Sequence, residues 1–172
     1  MSAKTNLLEA AAALAQSDGV TALGVERVVQ KAGVSKGAFF YHFESKEEMV
    51  RALLDHVSER CMLTVEDAVA NGKRFTDAFV EMVIGEIQNN GALIAVLVAS
   101  VSLDPMLREK LTERRKIIRG RMIAEDGLSP DRAAVLCLAI DGAMIGTVLY
   151  DEGVTAERTE MIASSLRKIS AN

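Results

Sequence analysis

Residues 19–46 read GVTALGVERVVQKAGVSKGAFFYHFESK, the stretch with the clearest structural pattern in the chain. Two short runs with helical spacing meet in it at residues 32–35. Gly33 can adopt the positive φ that a sharp turn needs, and Val34 can fill the angle between the two helices. The hydroxyl of Ser35 can accept a hydrogen bond from the first turn of the second helix. This layout predicts a helix-turn-helix, whose second helix enters the major groove of DNA.

The aromatic residues add to this prediction. Four of the seven in the chain fall within residues 39–43, more than a short helix can bury on one side. We expect Phe39 and Phe43 to pack in the core, because aromatic residues at that spacing usually do. We expect Tyr41 and His42 to face DNA.

Outward from this motif, helical spacing continues and strand-like alternation is almost absent. An apolar stripe over residues 7–15 predicts a first helix. Ser45 followed three residues later by Glu48 is a capping box, which opens a long helix over residues 46–69. Five further helices follow, which makes nine in an all-α fold without a sheet. We expect them at residues 74–88, 92–101, 105–124, 130–150 and 155–169.

Composition narrows the functional classes. The chain has 172 residues, 49% of them hydrophobic and 26% charged, which is enough for a core and excludes a disordered chain. The net charge of −4 means that nucleic acid has to bind through a local surface. Two cysteines are too few for a disulfide framework, so we expect a cytoplasmic protein. The longest uncharged apolar run, residues 92–103, is about half of a membrane span, and no membrane partner is expected.

The motif resembles the TetR family of bacterial transcriptional regulators. The resemblance lies in AGVSKG at residues 32–37, the aromatic pair that follows, HF at 42–43 and SKEEM at 45–49. It implies a helix-turn-helix DNA-binding domain of three helices at residues 1–47. It also implies a six-helix ligand-binding and dimerisation domain at residues 48–172, and a homodimer on a double-stranded DNA operator.

The resemblance also assigns roles to residues of the second motif helix and of the helix after it. The residues that would face base edges are Ser35, Lys36 and Ala38, and Gly37 would let the backbone approach. The residues that would lie against the sugar-phosphate backbone are Phe40, Tyr41, His42 and Lys46, the last at a helix N-terminus, which favours an anion.

Three positions depart from the family pattern. Leu23 and Gly24 stand where family members usually have a hydroxyl that caps the helix and touches phosphate. Glu26 stands where a basic or polar residue is common. Residues 1–57 contain six basic and seven acidic side chains. We therefore expect weak non-specific DNA binding, with affinity resting on a dimer and a few contacts.

The last two helices fit half of a four-helix dimer interface, as the resemblance implies. A dimer is also expected on physical grounds, because one motif reads few bases and two-fold symmetry supplies a second half-site about 34–36 Å away. The small residues of the helix expected at residues 130–150 could instead pack within one chain. The expected interface residues are Ala139, Gly142, Ala143, Gly146, Ile162, Ser165, Leu166 and Ile169.

The middle helices carry apolar residues that, by the resemblance, enclose a pocket for a small effector. Flexible methionines suit an adaptable pocket, although a solid core would use the same residues. The candidates are Met62, Val65, Phe75, Phe79, Met82, Leu97, Val98, Met122 and Met144. The function expected is that of a repressor that leaves a near-palindromic operator when a small apolar effector binds.

An alternative function is a small-molecule-binding or cysteine redox-sensing protein that has weak or lost DNA binding. In that alternative Cys61 reacts as a thiolate, whereas the plainer interpretation is a buried thiol. Residues 108–121 carry seven basic and two acidic side chains, either a surface for DNA or an anion or, by default, a solvated helix face. With two histidines and no paired catalytic groups, we expect no metal site, cofactor or enzymatic activity.

Overall fold

The computed structural model describes residues 2–18, 23–89, 105–149 and 155–171. Eight helices and no strand occur within these ranges, which confirms the all-α prediction. The helix expected at residues 92–101 lies outside the described residues. The helices are α1 (Ala3–Asp18), α2 (Val25–Ala32), α3 (Lys36–His42), α4 (Lys46–Ala70), α5 (Phe75–Gln88), α6 (Pro105–Ala124), α7 (Pro130–Leu149) and α8 (Ala156–Ser170).

The first three helices form a small unit around a shared apolar core. Helix α1 packs against α2, α3 and α4, and its stripe begins with the fully buried Leu7. Val28 of α2 and Phe39 of α3 are equally inaccessible, and Phe43 is nearly so. The rings of Phe39 and Phe43 lie 5.5 Å apart between centroids. The prediction that these two rings belong to the core is confirmed.

Helix α4 joins the two parts of the chain. It begins with the predicted capping box, in which the Ser45 hydroxyl accepts from the Glu48 N–H at 3.1 Å and the Glu48 carboxylate accepts from the Glu44 N–H. The helix then packs against both α1 and α5. The predicted domain boundary after residue 47 falls in its first turn, so one continuous helix runs from the motif into the second part. His56 Nε2 lies 2.7 Å from Glu9 Oε1 and ties α4 to α1.

Helix α5 is the centre of the second part, where it packs against α4, α6, α7 and α8. Its buried residues run from Phe75 to Ile87 and belong to the same core cluster as Leu136 of α7 and Leu166 of α8. The final helix begins where the Thr155 hydroxyl accepts from the Arg158 N–H at 3.2 Å. No helix within the described ranges is long and apolar enough to cross a bilayer.

The basic segment at residues 108–121 does not form a plain solvated face. Asp55 of α4 forms two ion pairs: its Oδ2 lies 2.8 Å from Lys110 Nζ, and its Oδ1 lies 2.6 Å from Arg114 Nη2. Arg121 pairs with Glu66 of α4, and Arg115 with Asp141 of α7. Four of the seven cations thus neutralise acids on neighbouring helices. We call these four cations, with Asp55, Glu66 and Asp141, the charged seam. The default interpretation missed it because spacing along one helix does not show which acids face it.

Candidate nucleic-acid interface

The turn between α2 and α3 has the geometry that its sequence requires. Gly33 ends α2 with φ of +67°, in the left-handed region, and its N–H donates to the Gln30 carbonyl at 3.3 Å. The Val34 N–H donates to the Val29 carbonyl at 3.1 Å, and the Val34 side chain packs against the core. The Ser35 hydroxyl then accepts from the Ala38 N–H at 3.1 Å and starts α3. Local hydrogen bonds thus set the direction in which α3 leaves the turn.

Helix α3 is buried on one side and open on the other. Phe39 anchors it to the core, while Ser35, Lys36, Gly37 and Phe40 are exposed. Tyr41 is 85% exposed and Phe40 is 51% exposed, so α3 presents two adjacent aromatic rings to solvent. Ala38 and His42 are half-buried. The structure therefore groups the residues predicted to meet DNA along α3 on a projecting helix.

Two further cations border this helix. Lys46 is half-buried in the first turn of α4, where the helix N-terminus also attracts an anion. Lys4 of α1 lies with its Nζ 5.7 Å from the centroid of Phe43, directly after α3. Lys4 is not predictable from the sequence, because the contact joins positions 39 residues apart and no local pattern reveals it.

The start of α2 bears out the departures noted in the sequence. Leu23 is fully buried, and Gly24 precedes α2 without a capping side-chain hydrogen bond. Glu26 in the first turn reaches across to α3, where its Oε1 lies 3.4 Å from Lys36 Nζ. Arg27 pairs with Asp18 of α1, which lowers the pKa of that carboxyl. The charges of α2 are therefore divided between the first helix and the exposed third one.

The predicted pocket residues lie in or against the core of the second part. Val65, Phe75, Phe79, Met122 and Met144 are buried, and the rings of Phe75 and Phe79 stack with centroids 6.1 Å apart. Met62 and Met82 are half-buried against them. Leu97 and Val98 lie outside the described residues. The structure thus brings seven of the nine residues into one apolar cluster.

A groove of about 480 Å³ lies between α4 and α5 on the flank of this cluster. Met82 lines it from the predicted pocket set, together with Cys61, Thr64 and Glu86. Burial and the nearby Glu86 carboxylate raise the pKa of the Cys61 thiol to about 12. Its thiol is therefore protonated at neutral pH, which disfavours the thiolate chemistry of the redox-sensing alternative. Both Cys61 and Cys137 are free and buried.

The predicted interface residues of α7 and α8 occupy different depths. Gly142 and Ser165 are exposed, and a Cβ added at Gly142 would meet no atom outside its own helix backbone within 4 Å among the described residues. Gly146 and Leu166 are buried, and the other four are half-buried: Ala139, Ala143, Ile162 and Ile169. Leu166 belongs to the core of its own chain, so it has almost no surface left for a partner.

Helices α7 and α8 also carry exposed apolar side chains outside the predicted interface set. On α7, Leu138 is 71% exposed, and Val135 and Ile145 are also open. On α8, Met161 is 62% exposed. Residues 135, 138, 142 and 145 follow helical spacing, which was available in the sequence. The spacing does not predict which side of α7 is exposed, because this helix is apolar on nearly every side.

Within the described ranges, no group of three or more His, Cys, Asp or Glu side chains could hold a metal ion. The site that the structure does assemble is the projecting α3 with its flanking lysines.

Residues 7–53 match the family described as "Bacterial regulatory proteins, tetR family", and residues 73–171 match "Tetracyclin repressor-like, C-terminal domain". The HTH-type transcriptional regulator UidR of Escherichia coli strain K12 is 22% identical over 151 residues, which are 86% of this chain and 76% of that protein. A transcriptional regulator from Rhodococcus sp. Rha1 has the same fold, with a TM-score of 0.79, 20% identity and coverage of 98% and 94% of the two chains.

The fold is also that of the multidrug binding protein EbrR complexed with imidazole, with a TM-score of 0.71, 18% identity and coverage of 98% and 95%. The two family matches are separated only by residues 54–72, which lie within α4 and the turn after it. They cover the predicted motif as well as most of the second part. The chain therefore belongs to the TetR family of DNA-binding transcriptional regulators.

Proposed function

We propose that this protein is a homodimeric repressor that acts in the cytoplasm and leaves a near-palindromic operator when a small apolar effector binds. The observation that carries the DNA-binding part is the projecting α3, with Lys36, Phe40 and Tyr41 exposed while Phe39 holds the helix to the core. The exposed aromatic rings in the last turn of α3 suit a sugar-phosphate edge, which offers apolar as well as anionic groups, and Lys36 at its start suits base edges.

The contacts proposed for α3 follow from its direction. Ser35, Lys36 and Ala38 belong to its first turn, and the N-terminal residues of a recognition helix are those that contact base edges. Phe40, Tyr41 and His42 in its last turn, with Lys46 at the start of α4, would contact the sugar-phosphate backbone. With six basic and seven acidic residues among the first 57, non-specific attraction is weak. A second half-site, bound by a second copy, would supply the missing affinity.

The dimer proposal rests on the exposed apolar face of α7 and α8. Leu138 and Met161 are the most exposed apolar residues of these helices, and Gly142 lets a partner helix approach closely. Isolated exposed apolar residues are common, but several on one pair of helices mark an interaction surface. The proposed contact is isologous, so that the two copies of α3 enter successive major grooves about 34–36 Å apart.

The effector proposal rests on the apolar cluster around Phe79 and on the groove between α4 and α5. Met82 contributes to both, and methionine side chains adapt to ligands of different shape. Binding there would favour a dimer with wrongly spaced recognition helices, and affinity for the operator would fall by a coupling free energy of about 1–3 kcal/mol. The bound state of EbrR, a multidrug binding protein with the same fold, is consistent with a small ligand.

The first experiment selects bound sequences from a random duplex pool with the full-length protein at moderate salt. We expect enrichment of an inverted repeat, and operator affinity is then measured by fluorescence anisotropy. Lys36→Ala should weaken specific binding, whereas Lys116→Ala, which removes an exposed lysine from α6, should not. If the Lys36 variant kept both affinity and sequence preference, α3 would not be the recognition helix.

Effector release has its own test. The probe 1-anilinonaphthalene-8-sulfonate, whose aromatic rings bind apolar surfaces, is titrated into the protein and into its operator complex. We expect the probe to bind the folded dimer and to lower operator affinity, and Met82→Gln to weaken both effects. Probe binding that left operator affinity unchanged would separate the pocket from DNA binding and would contradict the release mechanism.

A further inference from the structure

An acidic residue of α2 lies beside α3, on the surface that is proposed to meet DNA. Glu26 lies in the first turn of α2, and its Oε1 is 3.4 Å from Lys36 Nζ at the start of α3. The side chains of both residues are largely exposed, Glu26 by 85% and Lys36 by 58%. With Phe40 they line one shallow depression between the two helices. The carboxylate therefore sits on the same surface as the lysine that would read bases.

A carboxylate on this surface weakens DNA binding unless the DNA offers it a hydrogen-bond donor. Phosphates repel it, and most groups on base edges are acceptors. In the major groove the donors are the amino groups of cytosine and adenine, and glutamate characteristically accepts from cytosine N4. Lysine characteristically donates to O6 and N7 of guanine. One C·G base pair thus presents a donor beside an acceptor, in the arrangement that matches Glu26 beside Lys36.

We propose that Glu26 is a specificity-determining residue that reads a C·G base pair together with Lys36. The proposal rests on the proposed role of α3 as the recognition helix. Glu26 accepts from cytosine N4 while Lys36 donates to the guanine of the same pair. The ion pair holds the lysine side chain beside the carboxylate before DNA binds. An A·T pair also offers an amino donor, adenine N6, but it lacks the paired O6 and N7 acceptors of guanine, so Lys36 loses its partner there. The two residues together therefore favour C·G over other base pairs.

Arg27 does not compete for this role, because it pairs with Asp18 on α1. The plainer interpretation of Glu26 is a charge that complements the N-terminus of α2. That interpretation predicts no sequence preference from the carboxylate. The two interpretations therefore differ in what removal of the carboxylate does to base discrimination.

The test compares Glu26→Ala with Glu44→Ala, which removes another exposed carboxylate that lies just beyond α3. Full-length wild type and both variants bind the selected operator and duplexes in which each base pair of the half-site is changed in turn. We expect Glu26→Ala to lose about fivefold to tenfold of discrimination at one C·G position per half-site. Lys36→Ala should lose discrimination at that same position. Glu44→Ala should keep the wild-type ranking of sequences.

Other results of these binding measurements would contradict the proposal. If Glu26→Ala tightened binding to all duplexes alike, as a removed negative charge would, the carboxylate would act only by repulsion and the proposal would be wrong. A selected operator without a C·G pair at the position sensitive to Lys36 would overturn it too. If the wild-type protein selected no inverted repeat, the proposed DNA-binding function would fail first.

Discussion

Alanine substitution of two glycines in the helix-turn-helix should change stability in opposite directions. Gly33 has φ of +67°, in the left-handed region, whereas Gly37 lies within α3. Among the described residues, a Cβ added at Gly33 would have no neighbour within 4 Å, and one added at Gly37 would make an ordinary contact of 3.7 Å with Ser35 Oγ. Steric overlap is therefore minor at both positions, and the difference between them comes from the backbone.

The magnitudes follow from that geometry. An alanine in the left-handed region costs about 1–2 kcal/mol. The lower entropy of the unfolded chain offsets about 0.4–1 kcal/mol of this cost, so Gly33→Ala should destabilise the protein by about 1 kcal/mol. Gly37→Ala has only the favourable part and should stabilise by about 0.5–1 kcal/mol. We expect the two variants to differ by about 1.5–2 kcal/mol.

Urea unfolding followed by circular dichroism at 222 nm measures this difference. Protein concentration is held constant, because the stability of a dimer depends on it. The midpoints should move in opposite directions while the slopes stay unchanged. A Gly33 variant as stable as the Gly37 variant would refute the assignment of the turn. Gly37→Ala should also weaken operator binding despite its higher stability. Unchanged operator affinity would contradict the prediction that the backbone at Gly37 approaches DNA closely.

Three further predictions concern the second part of the chain. The Cys61 thiol has a folded-state pKa of about 12 against 9.0 for a free thiol, so it should contribute stability below pH 9 that is lost as the pH rises towards 12. Cys61→Ala should flatten the pH dependence of the unfolding free energy in that interval, and an unchanged curve would contradict the assigned burial. Asp55→Asn, which removes one carboxylate from the charged seam, should destabilise by about 1 kcal/mol, whereas Glu113→Gln, at an exposed i,i+3 pair, should cost less than about 0.5 kcal/mol in denaturant unfolding. Leu138→Asp should give monomers in analytical ultracentrifugation without loss of helix content, and a variant that stayed dimeric would exclude this face of α7 as the interface.

Where short-range interactions decide the outcome, the sequence was sufficient. Ser35 and Ser45 cap the helices that follow them, because a serine hydroxyl reaches the N–H three residues on in any such turn. The helix bounds from α4 to α8 agree with expectation within a few residues for the same reason. The division of the aromatic residues into buried Phe39 and exposed Tyr41 was also predictable, since a seven-residue helix has one side to bury.

The tertiary structure decided which helix faces meet, and the clearest example is the pair α7 and α8. Leu166 was expected at the dimer interface and lies in the core, while Leu138 was overlooked and is exposed. In a helix that is apolar nearly all round, hydrophobic spacing does not distinguish the side that the core covers.

The ion pairs of Glu26 with Lys36 and of Asp55 with Arg114 were hidden for the same reason. In each pair the two residues belong to different helices. No pattern in the sequence indicates which distant residue a charged side chain will pair with. The sequence alone was therefore enough to predict the starts of α4 to α8 and the turn at Gly33, because local backbone and capping interactions suffice for these, and its motif showed the family resemblance. Only the packing of helices against one another decided which residues are left exposed to bind DNA, a ligand or a second copy.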